Sequence, residues 1–205
     1  MRFSGRTKPT QSFLYCVLVL GSMVFAGGCM PMMVYTFYEP SAQTGIVERA
    51  ACRGNAGPRT TIRFQWDDLE LSMYGKKKGD KDLLIVITVT PSPETVLRFL
   101  TQDFKITIDG KLSHYRPIEV IGYLWPDAIN GVAQGHGESV VLSQWQNLTG
   151  REYDTYWVSL SLPIGAPTNF ELQFPPIEMN QQPIQIPPIT FTQTTESFFI
   201  EPINC

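Results

Sequence analysis

Residues 69–91, LELSMYGKKKGDKDLLIVITVTP, contain two apolar runs joined by a short polar segment rich in lysine and glycine. In the first run Leu69, Leu71 and Met73 alternate with other residues, which is the pattern of a strand with one buried face. The second run is rich in β-branched residues and ends at a proline, as expected of a buried strand. We therefore predict an antiparallel hairpin whose polar turn spans residues 75–82.

The same period of two recurs along much of the chain. Alternating apolar positions occupy residues 60–66, 155–162 and 169–174, and Asp109-Gly110 is a signal for a hairpin with a two-residue loop. No stretch shows a sustained helical period, because proline and glycine interrupt the chain too often. We therefore predict an all-β fold, an antiparallel immunoglobulin-like β-sandwich of about seven to nine strands in two packed sheets.

The N-terminal segment has a different composition. Residues 1–13 contain three basic residues and no acidic one, and residues 14–26 are apolar apart from Ser22. A basic segment, a short apolar segment and then small residues are typical of a secretory signal. As a helix the apolar segment would span roughly 20 Å, less than the ~30 Å hydrocarbon core. A retained transmembrane helix is the alternative.

The end of this segment, Ala26-Gly27-Gly28-Cys29, resembles the lipobox of bacterial lipoproteins. In that family diacylglycerol is attached to the cysteine thiol, the chain is cut before the cysteine, and the new amine is acylated. The resemblance covers the signal segment only, and Ala26 stands where leucine is usual, so an ordinary signal peptidase site fits as well. The resemblance implies a lipid on Cys29. In a Gram-negative cell it also implies an outer-membrane location facing the periplasm, because Met30 is not aspartate.

These features divide the chain into a signal peptide (1–28), a tether (29–44) and a β-sandwich domain (45–205). Without the signal peptide the chain keeps 13 of its 16 Lys and Arg residues and all 19 Asp and Glu residues, a net charge of −6. A modestly acidic chain argues against nucleic acid as a partner.

The cysteine count bears on the anchor. Cys16 would leave with the signal peptide, so Cys29, Cys52 and Cys205 remain. If Cys29 carries lipid, Cys52 and Cys205 form an even pair, and we expect them to make a structural disulfide in an oxidising compartment. If Cys29 carries no lipid, one thiol stays free or bridges to a partner chain.

No motif in the predicted domain carries a recognisable chemistry. The two histidines, His114 and His136, show no metal-ligand spacing, and no nucleophile elbow or phosphate loop is present. We therefore expect no catalytic residue, no metal and no cofactor. A hydrolase with an unfamiliar site is the weakest of the functional hypotheses.

Aromatic residues cluster around the long glycine-rich segment 126–138. Tyr123, Trp125, Trp145 and Trp157 are candidates for contact with a ligand or partner, since exposed rings stack on sugars and anchor protein interfaces. The alternative is that these rings belong to the core.

We expect a non-catalytic, lipid-anchored envelope protein that acts in interaction or assembly. The alternative function is binding of a glycan or cell-wall polymer through the exposed aromatics.

Overall fold

The computed structural model describes residues 32–49, 57–79, 82–124, 128–129, 132–133 and 138–199. Several residues of interest lie outside these ranges: Cys29, Cys52, Trp125, His136 and Cys205. The expected lipid site and disulfide therefore stay predictions.

The described chain is all-β, with antiparallel pairing throughout, as the sequence predicts. The strands are β1 Met32–Ser41, β2 Ile46–Glu48, β3 Thr61–Trp66, β4 Leu69–Lys78, β5 Asp82–Pro91, β6 Val96–Phe99, β7 Phe104–Ile108, β8 Lys111–Tyr115, β9 Glu119–Leu124, β10 Ala128–Ile129, β11 Val132–Ala133, β12 Glu138–Val141, β13 Asn147–Thr149, β14 Thr155–Leu162, β15 Asn169–Gln173, β16 Ile177–Met179, β17 Gln182–Ile184 and β18 Ile189–Phe199. These eighteen strands in the described ranges exceed the expected seven to nine. The number is larger because several extended segments form short strands that belong to different sheets.

Three sheets build the domain. A seven-stranded sheet has the order β12-β9-β14-β5-β4-β3-β2, a five-stranded sheet the order β1-β18-β15-β7-β8, and a four-stranded sheet the order β13-β6-β16-β17. The short β10–β11 pair forms a separate ladder. The larger sheets face each other, since a Cβ placed on Gly75 in β4 would lie 3.5 Å from the ring of Phe191 and 3.7 Å from that of Phe170. The result is a β-sandwich with an additional sheet. The narrower immunoglobulin-like arrangement stays a prediction.

The hairpin predicted from residues 69–91 is confirmed. Strands β4 and β5 pair without interruption from Leu69 opposite Pro91 to Lys78 opposite Asp82. The polar turn is shorter than predicted, because β4 continues through all three lysines. Gly79, with a φ of +67°, follows the last of them in a conformation that favours glycine.

The start of the domain differs from the expected boundary near Gly45. Met32–Ser41 forms the edge strand β1 and pairs with β18 along its whole length, from Met32 opposite Phe199 to Ser41 opposite Thr190. Most of the segment expected to be a tether is therefore folded. Alternation in the sequence is weak here because both faces of the strand carry apolar residues.

The turn signal Asp109-Gly110 has the predicted effect. Asp109 and Gly110 have φ values of 49° and 76°, so they form the two-residue turn between β7 and β8 with both central residues left-handed. Pro117 lies between β8 and β9, where the chain passes from the five-stranded to the seven-stranded sheet. A proline suits this position, since it cannot donate a ladder hydrogen bond.

One hydrophobic cluster joins the three sheets. In β14, the four alternating residues Tyr156, Val158, Leu160 and Leu162 are all buried, as their spacing predicts. The cluster also contains residues of the four-stranded sheet such as Leu97 and Leu148.

Candidate functional site

Apolar side chains cross the outer face of the seven-stranded sheet in one row. Backbone register places Val141 of β12 opposite Ile121 of β9, and Ile121 opposite Trp157 of β14. Directly opposed residues in antiparallel strands point to the same face of a sheet. These three residues therefore share the face that is directed away from the core.

A fourth residue extends this row. The ring of Tyr123, two positions along β9 from Ile121, has its centroid 4.7 Å from that of Trp157, with a 50° angle between the planes. Tyr123 is half-buried, whereas 41% of Trp157 is exposed to solvent. We call Ile121, Tyr123, Val141 and Trp157 the outer-face patch.

The alternation of β14 explains why a tryptophan is exposed here. Because Tyr156 and Val158 point into the core, Trp157 between them must point outward. Polar residues continue the outer face beyond the patch: Thr88 of β5 lies opposite Trp157, and the hydroxyls of Thr90 and Thr155 are 3.4 Å apart. An aromatic and aliphatic patch bordered by threonines is typical of a recognition surface.

The structure separates Trp145 from this patch, and Trp125 lies outside the described residues. Trp145 is 7% exposed and packs edge-on against Phe99, with 5.1 Å between ring centroids. It is a core residue between β12 and β13, so its ring does not offer an exposed surface. Among the described candidates, Tyr123 and Trp157 are therefore the pair that lies on the outer face.

A polar cleft lies beside the segment that contains Trp145. Its volume is about 400 Å³, and its described lining residues are uncharged and polar: Gln102, Ser143, Gln144, Gln146 and Asn147. Backbone hydrogen bonds hold the segment 142–146 at both ends. Leu142 N donates to Val120 O at 2.8 Å, and Phe99 N donates to Gln146 O at 2.8 Å. Sequence reasoning missed this cleft, because amide residues carry no recognisable motif.

The charged residues beside the cleft are paired. The guanidinium of Arg116 donates from Nε to Asp103 Oδ1 at 2.7 Å, and this hydrogen bond lowers the pKa of Asp103. Arg98, opposite Asn147 in the ladder, lies 3.7 Å from the carboxylate of Glu178. The cleft therefore presents hydrogen-bonding groups without a net charge.

The described residues offer little for metal chemistry. His114 is exposed on the edge strand β8, opposite Lys105. Within the ranges that the structure describes, no three His, Cys, Asp or Glu residues are placed to hold a metal ion. The same ranges contain no helix that is long and apolar enough to cross a membrane.

Comparison with known proteins adds no family. No family model, no curated protein and no solved structure matches the chain.

Proposed function

We propose that the chain is an exported protein anchored to a bacterial membrane by lipid on Cys29. In this proposal its β-sandwich domain acts in interaction or assembly and has no catalytic role. The anchor is supported by the lipobox-like segment Ala26–Cys29 and by the basic and apolar residues before it. In a Gram-negative cell the domain would face the periplasm from the outer membrane.

The outer-face patch carries the proposal of a protein partner. Exposed tryptophan and tyrosine rings dominate the binding energy of many protein interfaces, because they bury a large area at a low cost in side-chain entropy. The patch also includes the exposed Val141 of β12, which is an edge strand of the seven-stranded sheet. A partner seated there would cover the rings of Tyr123 and Trp157 together.

Site-specific crosslinking tests this surface in the cell. A photo-reactive amino acid at Val141 should give one adduct with an envelope protein, whereas the same group at Leu112 should not. Leu112 is a suitable control because it is also exposed, at 51% against 63% for Val141, and lies on β8 in the other large sheet. The purified partner should then bind the wild-type domain and bind the Trp157→Ala variant at least tenfold more weakly. Equal affinity for both would show that the patch is not the interface.

The amide-lined cleft favours a second candidate, binding of a neutral glycan or cell-wall polymer. Each glutamine and asparagine side chain both donates and accepts hydrogen bonds, which matches the hydroxyl groups of a sugar. A purified domain that is retained on peptidoglycan or polysaccharide would support this function. Loss of retention in Gln146→Ala would assign it to the cleft, and loss in Trp157→Ala to the outer-face patch.

The acylated N-terminus has its own test. Mass spectrometry of the mature protein should find Cys29 as the first residue, with acyl groups attached. Cys29→Ser should abolish lipid labelling and release the protein from the membrane. Normal membrane retention of Cys29→Ser would contradict the anchor.

A further inference from the structure

The paired strands β1 and β18 extend beyond the sheet to which they belong. Strand β15 pairs with β18 only from Ile189 to Thr192, whereas β1 pairs with β18 as far as Phe199. One more backbone hydrogen bond, from Gln193 N to Thr168 O at 2.7 Å, ties β18 to the residue before β15. Beyond Gln193, no third strand pairs with this ribbon within the described residues.

Exposure shows where the ribbon leaves the core. Phe37 and Tyr38 are buried, but Val34 is 63% and Tyr35 is 50% exposed. Neighbouring residues of a strand point to opposite faces, so both faces of the ribbon are open at this level. We call residues 32–35 with residues 196–199 the ribbon tip.

The ribbon tip is composed mainly of apolar residue types. Its strands are Met-Met-Val-Tyr and Glu-Ser-Phe-Phe, with Glu196 as the single charged residue. A polar band lies next to it, where the hydroxyls of Thr36 and Thr195 are 3.0 Å apart. An isolated two-stranded ribbon is at best marginally stable in water, and apolar edges without charge promote association. This composition therefore suits a ribbon tip that is covered by an apolar or interfacial medium.

The short chain length between Cys29 and the ribbon tip indicates that the covering medium is the membrane surface. Strand β1 begins at Met32, three residues after Cys29. Three extended residues span at most about 11 Å. The headgroup region of one leaflet is roughly 5–8 Å thick, half the difference between the whole bilayer and its hydrocarbon core. A lipid-anchored Cys29 would thus hold Met32 in or directly above the headgroups.

We propose that the ribbon tip inserts into the interfacial region of the membrane beside the lipid anchor, with Val34 and Tyr35 in contact with lipid. This inference rests on the proposed lipidation of Cys29. Tyrosine is well suited to this position, since its ring is apolar and its hydroxyl reaches water and headgroups. The sandwich then stands directly on the membrane, and the ribbon sets its orientation.

Depth-dependent quenching tests the insertion. The lipidated protein, made from the full chain, is labelled with an environment-sensitive fluorophore through an unnatural amino acid at Tyr35 and reconstituted into phosphatidylcholine vesicles. Nitroxide lipids with a shallow spin label should quench the fluorophore at Tyr35 several-fold more than they quench the same fluorophore at Leu112. Leu112 is the exposed control on β8.

The outcomes separate the two proposals. If mass spectrometry finds no acyl groups on Cys29, the anchor fails. If Cys29 is acylated but the label at Tyr35 is quenched no more than that at Leu112, the inserted ribbon tip is overturned and the anchor stands. A blue-shifted, unquenched label on a protein that forms dimers would also overturn it and would identify a second copy as the cover.

Discussion

The hydroxyl of Tyr156 binds both backbone groups of Thr149. It accepts a hydrogen bond from Thr149 N at 2.9 Å and donates one to Thr149 O at 2.6 Å. Tyr156 belongs to β14 of the seven-stranded sheet and Thr149 to β13 of the four-stranded sheet. One buried side chain therefore joins two sheets, and hydroxyl-to-backbone contacts over a short sequence distance also occur in other β-sandwiches.

Replacing this hydroxyl should destabilise the domain. Tyr156→Phe leaves the N–H of Thr149 without this acceptor at a part-buried position. It also removes the shortest donor from the C=O of Thr149, which still accepts from Glu152 N at 3.1 Å and Tyr153 N at 3.4 Å. We expect a loss of roughly 1–3 kcal/mol in the free energy of unfolding, measured with urea. Tyr115→Phe is the control, because Tyr115 is only partly buried and has no described hydrogen bond; its stability should change little. Equal effects of the two changes would contradict the role of the contact.

The same residue should make stability sensitive to alkaline pH. Burial raises the pKa of Tyr156 from its ordinary value of 10.0 to about 12. The unfolded chain releases this proton near pH 10 and the folded chain only near pH 12, so the stabilisation is complete below pH 10 and is lost as the pH rises through 12. Between pH 10 and pH 12 the free energy of unfolding, measured with urea, should fall as the pH rises. The fall should be smaller in Tyr156→Phe than in the wild type. Part of the fall should remain, because burial also raises the pKa of Tyr38.

Gly150 should tolerate no side chain. A Cβ atom at this position would lie 2.1 Å from the backbone oxygen of Ser92, which cannot move without shifting the main chain. Gly150→Ala should therefore cost about 3 kcal/mol. In Gly75→Ala the nearest atom, Cδ1 of Phe191, would be 3.5 Å from the new Cβ, an ordinary contact. Thermal unfolding should lower the Tm of the first variant strongly and that of the second slightly or not at all.

The turn between β7 and β8 should require glycine at its second position. Gly110 has a φ of +76°, and nothing lies within 4 Å of a Cβ placed there, so any penalty is conformational rather than steric crowding. We expect Gly110→Ala to cost about 1 kcal/mol, whereas Asp109→Asn should be neutral, since asparagine suits the left-handed region. A neutral Gly110→Ala in urea unfolding would contradict this reason.

The expected disulfide makes a prediction about additivity. If Cys52 and Cys205 are bridged, Cys52→Ser, Cys205→Ser and the double variant should lose the same stability, at most roughly 4–5 kcal/mol for a closed loop of about 150 residues. Reducing agent should lower the stability of the wild type to that of the variants. Additive losses would exclude the bridge.

Local features of this fold were accessible from the sequence. The alternation in residues 155–162 correctly separates buried Tyr156 from exposed Trp157, and the Asp109-Gly110 pair correctly marks a turn. Both depend on neighbouring residues, because the side-chain period of a strand and the dihedral preferences of a turn act within a few positions.

Pairing between distant segments was not accessible in this way. Strand β1 lies beside β18 although about 150 residues separate them, and the sequence of residues 32–41 alone suggested a tether. Trp145 shows the same limit, because its burial depends on Phe99 in another strand.

For this protein the sequence by itself determined the all-β class, the central hairpin, the inward and outward faces of β14 and the expectation of export. Only the tertiary structure decided which strands share a sheet, that Tyr123 and Trp157 meet while Trp145 is buried, and that residues 32–41 form a strand of the sandwich. The physical reason is that strand periodicity and turn geometry are properties of short segments. The choice of partner strands is set by which remote apolar faces bury each other best, and no short segment contains that information.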